Sequence, residues 1–239
     1  MSKDYFEFKQ FKVFHGQCAM KVGTDAVLIG AWTQTTHTDK SILDIGTGSG
    51  IISLMLAQKT DETQIDAIDI DESAFHQAKI NFENSPWSNR LHACLIDFTQ
   101  QDNEDLRKEY DLIVSNPPYF TNGVLAPCNK RSTARHVNSL NYQQLFKGVV
   151  HFLSKNGRFT LILPVEAEKD IEELAFSCNL HITRKCFVCP KPDGVVKRIM
   201  WEFSKQKGQM KEEHLTIELS RHIYSPEYIA LTKDFYLKM

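Results

Sequence analysis

The residues best suited to chemistry in this sequence are four that follow a short apolar run. Asn116-Pro117-Pro118-Tyr119 comes directly after Leu112-Ile113-Val114-Ser115, which predicts a buried strand. The two prolines fix the backbone and remove two N–H donors, so the Asn116 side-chain oxygen and the Pro117 carbonyl remain as acceptors. A planar substrate with an NH₂ group would stack on Tyr119 and point both N–H bonds at these acceptors. Fixed acceptors would stabilise the positive charge that develops as the amine gains a methyl group. The alternative is a structural Pro-Pro turn capped by Asn116.

A glycine-rich loop follows an earlier apolar run. Asp44-Ile45-Gly46-Thr47-Gly48-Ser49-Gly50 has the pattern Asp-x-Gly-x-Gly-x-Gly, in which Gly46, Gly48 and Gly50 allow tight turns and close approach of a ligand. The spacing differs from that of the dinucleotide fingerprint and lacks the Gly-Lys-Ser/Thr ending of a phosphate loop. Asp44 would repel a pyrophosphate and favour a cationic ligand or an ammonium group.

Two further acids lie at, or directly after, the ends of predicted strands. Asp69 ends the run after the glycine loop, where a carboxylate can accept both ribose hydroxyls of a nucleoside. Asp97 follows the next strand, where it could accept from an adenine amino group, and Phe98 beside it could cover the ring. Each acid alone is an ordinary loop or cap residue. Together with the glycine loop, the three acids predict a nucleoside site.

Strands and helices alternate along the chain. Strands are predicted at residues 41–45, 64–69, 91–96, 111–115, 158–163, 181–189 and 195–203, with a short alternating segment at 5–14. Helices are predicted at residues 24–34, 51–60, 72–84, 102–109, 142–153 and 166–177, with Thr24 as a possible N-cap and Asn156-Gly157 as the stop of the fifth. This order predicts an α/β, Rossmann-like sheet of seven strands, mostly parallel with an antiparallel last strand, and helices on both faces.

Charge is segregated although the formal net charge is only −2. Residues 112–165 contain no Asp or Glu, and residues 184–211 contain eight Lys or Arg against two acids. Local basic faces attract polyanions, although a charge run can also be a solvated face. The long segment after Tyr119 could grip phosphates around an extruded base through Lys130, Arg131, Arg135 and His136.

These motifs resemble those of class I S-adenosylmethionine-dependent methyltransferases, specifically the Asn-Pro-Pro-Tyr group that methylates planar exocyclic or amide nitrogens. Over nearly the whole chain, the sequence is similar to bacterial tRNA (adenine-N6) methyltransferases that act on valine tRNA. Three segments carry this closer resemblance: the stretch around Ala19-Met20-Lys21-Val22-Gly23-Thr24-Asp25, then Asn84-Ser85-Pro86-Trp87, and Tyr224-Ser225-Pro226-Glu227-Tyr228. The resemblance implies methylation of adenosine 37, next to the anticodon, with tRNA as the partner.

The resemblance also implies roles for individual residues. S-adenosylmethionine would be the cofactor, cradled by the glycine loop with Asp44, with its ribose on Asp69 and its adenine on Asp97. Lys21, Gly23, Thr24 and Asp25 would line the methionine end, and Asn116 to Tyr119 would hold the target base. The chain would be a single methyltransferase domain over residues 1–239. In it, 1–40 is an extension contributing to the cofactor site, 41–205 the core and 206–239 a C-terminal extension.

Several alternatives remain open at the level of sequence. A protein glutamine N5-methyltransferase would use the same four-residue motif, but that family usually has an N-terminal helical domain, and here about 40 residues precede the sheet. DNA adenine or ribosomal RNA guanine methylation and an RNA-binding module with a vestigial cofactor site are the others. A nicotinamide dehydrogenase is disfavoured by the glycine spacing.

Composition limits the remaining classes. The chain has 239 residues, of which 42% are hydrophobic, and lacks an apolar run long enough for a membrane span. No apolar signal core follows Met1, and six scattered cysteines do not form a disulfide framework, so a cytoplasmic location is expected. We expect no metal: Cys186 and Cys189 have zinc-ligand spacing, but no second pair matches them and their setting predicts a strand.

Overall fold

The computed structural model describes residues 4–16, 22–100, 105–118 and 141–238. The strands of these residues are β1 (Tyr5–Glu7), β2 (Lys12–Phe14), β3 (Ser41–Ile45), β4 (Gln64–Asp69), β5 (Leu91–Leu95), β6 (Tyr110–Ser115), β7 (Leu153–Pro164), β8 (His181–Cys189), β9 (Arg198–Ser204), β10 (Lys211–Thr216), β11 (Glu218–Ser220) and β12 (Ile223–Tyr224). The helices are α1 (Thr24–Trp32), α2 (Ile51–Gln58), α3 (Glu72–Glu83), α4 (Tyr142–Phe152), α5 (Glu168–Ser177) and α6 (Pro226–Thr232), with a 3₁₀ turn at Val165–Ala167.

The central sheet has the strand order β10-β8-β9-β7-β6-β3-β4-β5. Pairing is parallel throughout except at β9, which runs antiparallel to both β7 and β8. This confirms the α/β sheet and the antiparallel last strand of the predicted seven. In the described residues the sheet has eight strands, because β10 pairs parallel with β8. The sequence of β10, Lys-Glu-Glu-His-Leu-Thr, buries only Leu215 and is typical of a charged edge strand, so its pattern gave no apolar signal.

Helices cover both faces of the sheet, as predicted. One core cluster joins α1 and α2 to strand residues such as Ile42 and Val114. The other joins α4 and α5 to Leu43, Ile113 and Trp201. Adjacent residues of β3 and β6 enter opposite clusters because side chains alternate across a strand. Both core faces are therefore built around the strands whose ends carry the predicted motifs.

The N-terminal hairpin of β1 and β2 packs beside this sheet. Phe8 forms a bridge to Tyr236, and the Lys9 N–H donates to the Phe235 carbonyl at 2.8 Å. The Phe8 ring stacks on Phe11 at 4.6 Å between centroids and lies in the first core cluster. These contacts hold the two ends of the described chain against one another.

Three predicted local features are wrong. Described residues 105–109 form no helix, because Asp66 accepts from Arg107 Nε at 3.0 Å and from Tyr110 Oη at 2.8 Å and holds an irregular turn. The helix predicted to stop at Asn156-Gly157 ends at Phe152, and both residues lie within β7.

At α1 the predicted cap is also displaced. The N-cap is Gly23 without a side-chain bond, and Thr24 is the first helical residue. Among the described residues, none of the helices is both long and apolar enough to span a membrane.

Candidate active site

The predicted motifs meet at one edge of the sheet, where the parallel strands have their carboxyl ends. In β3, Ile45 pairs with Ile68 of β4 on one side and with Ser115 of β6 on the other. Ser115 Oγ also donates to the Ile45 carbonyl at 2.9 Å. The segments that follow β3, β4 and β6 are therefore brought together, in the position where open α/β sheets bind ligands.

The glycine loop turns sharply at this edge. Its glycines have positive φ angles, 72° at Gly46, 57° at Gly48 and 81° at Gly50. The Ile68 carbonyl accepts from the N–H of Gly46 at 2.9 Å and of Thr47 at 3.0 Å, so β4 supports the turn. A Cβ at Gly46 or Gly48 would meet no atom within 4 Å, whereas a Cβ at Gly50 would lie 2.5 Å from Phe82 Cε1. The loop is thus packed at its end against α3 and open beside Gly46 and Gly48.

Asp44 lies beneath the loop with a fully buried side chain. Its Oδ2 accepts from Thr47 Oγ1 and Ser53 Oγ, each at 2.7 Å. Its buried Oδ1 has no hydrogen-bond partner among the described residues. Burial raises the pKa of Asp44 to about 6, against the lowering effect of the Ser53 and Thr47 hydrogen bonds. A buried, unpaired carboxylate oxygen is costly unless a donor completes it.

Asp69 faces the same loop from the end of β4. Its Oδ2 accepts from the Gly48 N–H and its Oδ1 from the Asp71 N–H, both at 2.9 Å. Burial is the largest influence on this carboxyl and raises its pKa, although these N–H groups oppose the shift. An ionised carboxylate has about four acceptor positions, so two remain for hydroxyl donors. The arrangement fits the binding of a ribose.

Asp97 and Phe98 follow β5, the next strand. Asp97 Oδ1 accepts from the Thr99 N–H at 2.9 Å and from Thr99 Oγ1 at 2.7 Å, a local turn that leaves acceptor capacity on its second oxygen. Phe98 is only 5% exposed, and its ring packs near Phe152 at 5.7 Å and against Gly148. The structure therefore gives Phe98 a place in the core, and its predicted contact with an adenine stays a prediction.

The start of α1 also lies at this edge. Gly23 and Thr24 are exposed, and Asp25 Oδ2 accepts from Arg198 Nε at 2.8 Å. Arg198 begins β9 and pairs with Pro164 at the carboxyl end of β7. Arg198 is a residue of this edge that sequence reasoning counted only as part of a basic segment. Lys21 lies outside the described residues.

The acceptor motif occupies the end of β6. Asn116 is half-buried, Pro117 is buried and Pro118 is exposed, so the motif lies at the boundary between core and solvent. Because β6 neighbours β3, the structure brings Asn116 beside the glycine loop. Tyr119 lies outside the described residues, as do Lys130, Arg131, Arg135 and His136.

Four of the eight cations in the second basic segment, residues 184–211, form ion pairs within the fold. Arg184 pairs with Glu213 at 3.1 Å and lies over the Trp32 ring, while Lys185 contacts Glu168 and Glu172, each at 2.5 Å. Of the others, Lys205 Nζ donates to the Leu153 carbonyl and Lys211 pairs with Glu213. Lys191, Lys197 and Lys207 stay exposed. Arg184 and Lys185 of this segment therefore serve the packing of β8 against its neighbours.

A metal ion bound by the described part of the chain would need a cluster of ligating side chains. No group of three His, Cys, Asp or Glu side chains is placed there to hold an ion. Cys186 and Cys189 both lie in β8, which confirms the predicted strand.

Comparison with known proteins agrees with this geometry. The family model of the methyltransferase small domain matches residues 13–174. A structure described as a predicted O-methyltransferase from Agrobacterium tumefaciens superposes with a TM-score of 0.70 at 14% identity, covering 88% of this chain and 96% of that one. The ribosomal protein L11 methylase from Lactobacillus delbrueckii gives 0.56 at 16% identity, covering 82% and 84%. The fold and the site define a class I methyltransferase.

Relatives with higher sequence identity to this chain indicate a particular family within this class. Proteins named tRNA1(Val) (adenine(37)-N6)-methyltransferase are 47% identical in Bacteroides fragilis and 44% identical in Bacteroides thetaiotaomicron, each over the whole of both chains. The same name is given to a Flavobacterium psychrophilum protein that is 45% identical over 98% of this chain and all of its own. The chain belongs to the family of the tRNA1(Val) (adenine(37)-N6)-methyltransferases.

Proposed function

We propose that this enzyme transfers a methyl group from S-adenosylmethionine to the exocyclic N6 of adenosine 37 in valine tRNA. The observation that carries the proposal is the position of Asn116 and Pro117. They follow β6 and lie beside the glycine loop that follows β3. This arrangement puts an acceptor pair for an amine next to a nucleoside-binding loop. The full-length similarity to relatives of that name supports the choice of RNA and base.

For the cofactor, we propose that Asp69 accepts the ribose hydroxyls and that Gly46, Gly48 and Gly50 let the backbone approach it. The unpaired Oδ1 of Asp44 suits the ammonium group of the methionine moiety. When bound, S-adenosylmethionine supplies an activated methyl group on a sulfonium. The remaining contacts are proposed for Asp97 and Phe98 at the adenine and for Lys21, Gly23, Thr24 and Asp25 at the methionine end.

For the substrate, we propose that the Asn116 side-chain oxygen and the Pro117 carbonyl accept the two N–H bonds of the adenine amine. Tyr119 and Pro118 would flank the base, with the ring of Tyr119 stacked on it. Because the nitrogen attacks as a neutral amine, these residues need only orient it and stabilise the positive charge that develops. The excess proton then leaves through the acceptors to water.

For the RNA itself, we propose that Lys130, Arg131, Arg135 and His136 contact phosphates around the extruded adenosine. These residues lie in the acid-free stretch 112–165. Half of the eight cations in 184–211 form ion pairs within the fold, which supports the stretch 112–165 over 184–211 as the main phosphate contact.

The test uses total tRNA from a strain that lacks this gene. It is incubated with the protein and radiolabelled S-adenosylmethionine, digested, and the labelled nucleoside is identified. We expect N6-methyladenosine, mapped to position 37 of valine tRNA, and loss of the label with Asn116→Ala. Asn156→Ala, an exposed asparagine near the start of β7, is the matched control and should retain activity.

A contrary result has a clear form. If wild-type protein binds S-adenosylmethionine but labels no tRNA, the tRNA substrate is wrong. The same labelled cofactor would then be offered to protein, ribosomal RNA and DNA, and methylglutamine in a protein fraction would identify the amide-methylating alternative.

A further inference from the structure

Asn81 is a fully buried polar residue on α3 that no motif in the sequence singled out. Its Oδ1 accepts from the Phe14 N–H at 2.9 Å, and its Nδ2 donates to the Phe14 carbonyl at 2.8 Å. The same Nδ2 donates its other hydrogen to the Ser49 carbonyl at 2.7 Å. One side-chain amide therefore joins the last residue of β2 to the glycine loop.

The Ser49 carbonyl lies at a sensitive point of that loop. Its neighbour Gly48 donates its N–H to Asp69, the carboxylate proposed to hold the ribose. On its other side, Gly50 begins the turn into α2 and is packed against Phe82, the residue after Asn81. A shift of the Ser49 carbonyl would change the peptide units on both sides. The loop would then present a different surface to a ligand.

The chemistry of the amide explains why asparagine is needed here. Two carbonyl oxygens and one N–H converge on the side chain, which requires two donors and one acceptor. An amide supplies both kinds of group, whereas a carboxylate of the same shape only accepts. The position is inaccessible to solvent. If Asn81 were lost, water could not replace it as the donor to the Phe14 and Ser49 carbonyls.

We infer that Asn81 is a positioning residue for S-adenosylmethionine binding, which it serves by fixing the glycine loop through the Ser49 carbonyl and tying it to β2. This inference rests on the proposed cofactor site. Among the described residues, Asn81 bonds only to Phe14 and Ser49, and it makes no contact with the ligand. It holds the loop through the Ser49 carbonyl, whereas the space beside Gly46 and Gly48 holds no atom of the described residues.

The variant that tests this is Asn81→Asp, which keeps the shape and removes both donors. Asn84→Asp is the matched control, since Asn84 lies on the same helix end, is exposed, and donates only to the Ile80 carbonyl of that helix. Calorimetric titration with S-adenosylmethionine alone should show binding weaker by on the order of tenfold or more for Asn81→Asp. Binding to Asn84→Asp should stay within about twofold of wild type.

Steady-state kinetics separate positioning from general damage. We expect KM for S-adenosylmethionine to rise for Asn81→Asp while KM for tRNA and saturated kcat change little, because Asn81 bonds to Phe14 and Ser49 and not to Asn116 or Pro117. If Asn81→Asp does not fold, Asn81→Ser, which keeps one donor, replaces it. We expect KM for S-adenosylmethionine to rise selectively in this variant too, but by a smaller factor.

Two results would overturn the inference. One is a folded position-81 variant whose cofactor affinity equals that of wild type. The other is an equal rise in KM for cofactor and tRNA. Failure of wild-type protein to bind S-adenosylmethionine would instead refute the proposed function, so the two failures are distinguishable.

Discussion

Arg198 donates from Nε to Asp25 Oδ2 at 2.8 Å and so connects the first residue of β9 to the first turn of α1. The two side chains are 28% and 21% exposed, so the pair is partly shielded from solvent. A carboxylate in the first turn also interacts favourably with the helix dipole. The N-terminal part of the proposed cofactor site is thereby held by a residue from the far end of the core.

The first prediction concerns this pair. Arg198→Gln should lower the free energy of unfolding by about 0.5–1 kcal/mol and raise KM for S-adenosylmethionine a few-fold, because α1 loses an anchor beside the proposed cofactor site. A double-mutant cycle with Asp25→Asn, measured by urea denaturation, isolates the pairwise energy from the other contacts of both residues. Lys197→Gln is the control, since Lys197 is exposed and adjacent. A coupling energy of zero would show that the pair does not act as an anchor.

The second prediction is a pH dependence of stability from Asp44. Its pKa is about 6 in the folded protein, above the value of about 4 for an unfolded aspartate. Between these values the folded state binds more protons than the unfolded state. Stability of the ligand-free protein therefore falls as pH rises through this window, by at most about 3 kcal/mol. Asp44→Asn should remove this fall, as urea denaturation at pH 4.5 and 7.5 would reveal.

The same carboxyl should control cofactor affinity in the opposite direction. If Asp44 must be ionised to accept an ammonium group, binding of S-adenosylmethionine weakens as pH falls below about 6, by up to about tenfold per pH unit. Asp44→Asn should bind weakly and lose this part of the dependence. Any pH dependence of affinity that remains in that variant would come from other titrating groups, among them Asp69, whose pKa is also raised by burial, and the amino group of the ligand. Titration calorimetry across pH 5 to 8 measures both, and equal slopes in the two proteins would exclude Asp44.

Two glycines of the loop should respond differently to the same substitution. Gly46→Ala meets only the strain of a left-handed backbone, about 1–2 kcal/mol, since its Cβ would contact nothing within 4 Å. Gly50→Ala adds a clash, with its Cβ 2.5 Å from Phe82 Cε1, and should cost about 1–3 kcal/mol more. Gly208→Ala, with neither constraint, should change the unfolding free energy by less than about 0.5 kcal/mol. Equal losses of unfolding free energy at positions 46 and 50 would contradict the close packing of Gly50 against Phe82.

The parts of the fold that the sequence predicts well are those encoded locally. Apolar runs mark β3, β4 and β6, and the glycines after β3 specify their own backbone conformations. The errors arise where a distant contact decides the structure. Tyr110 and Arg107 contact Asp66 and prevent a helix over residues 105–109, the described part of the predicted 102–109 helix. Charged β10 becomes a strand only by pairing with β8.

The residues of the candidate site likewise fall into those that local sequence predicts and those that depend on distant contacts. Asp44, Asp69 and Asn116 are recognisable because each lies at, or directly after, the carboxyl end of its own strand. Asn81 and Arg198 are not, because their partners Phe14 and Asp25 are 67 and 173 residues away. One signal for Asn81 does exist in the sequence: Gln77 and Asn81 are polar residues one turn apart on the buried face of α3, beside Ala74, Ala78 and Phe82. A polar pair on an apolar helix face indicates a specific buried hydrogen bond.

The last prediction separates the two basic stretches by their salt dependence. Arg131→Ala and Arg135→Ala should each weaken tRNA binding and reduce the slope of log affinity against log salt by roughly 0.7–0.9, the loss of one phosphate contact. Lys207→Ala is the control, because Lys207 is exposed but follows β9, at the sheet edge opposite Asn116. It should leave both affinity and slope unchanged. Filter binding at several salt concentrations measures these quantities. A change with Lys207→Ala but none with the two arginine variants would place the RNA on the opposite edge and refute the phosphate contacts proposed beside the acceptor motif.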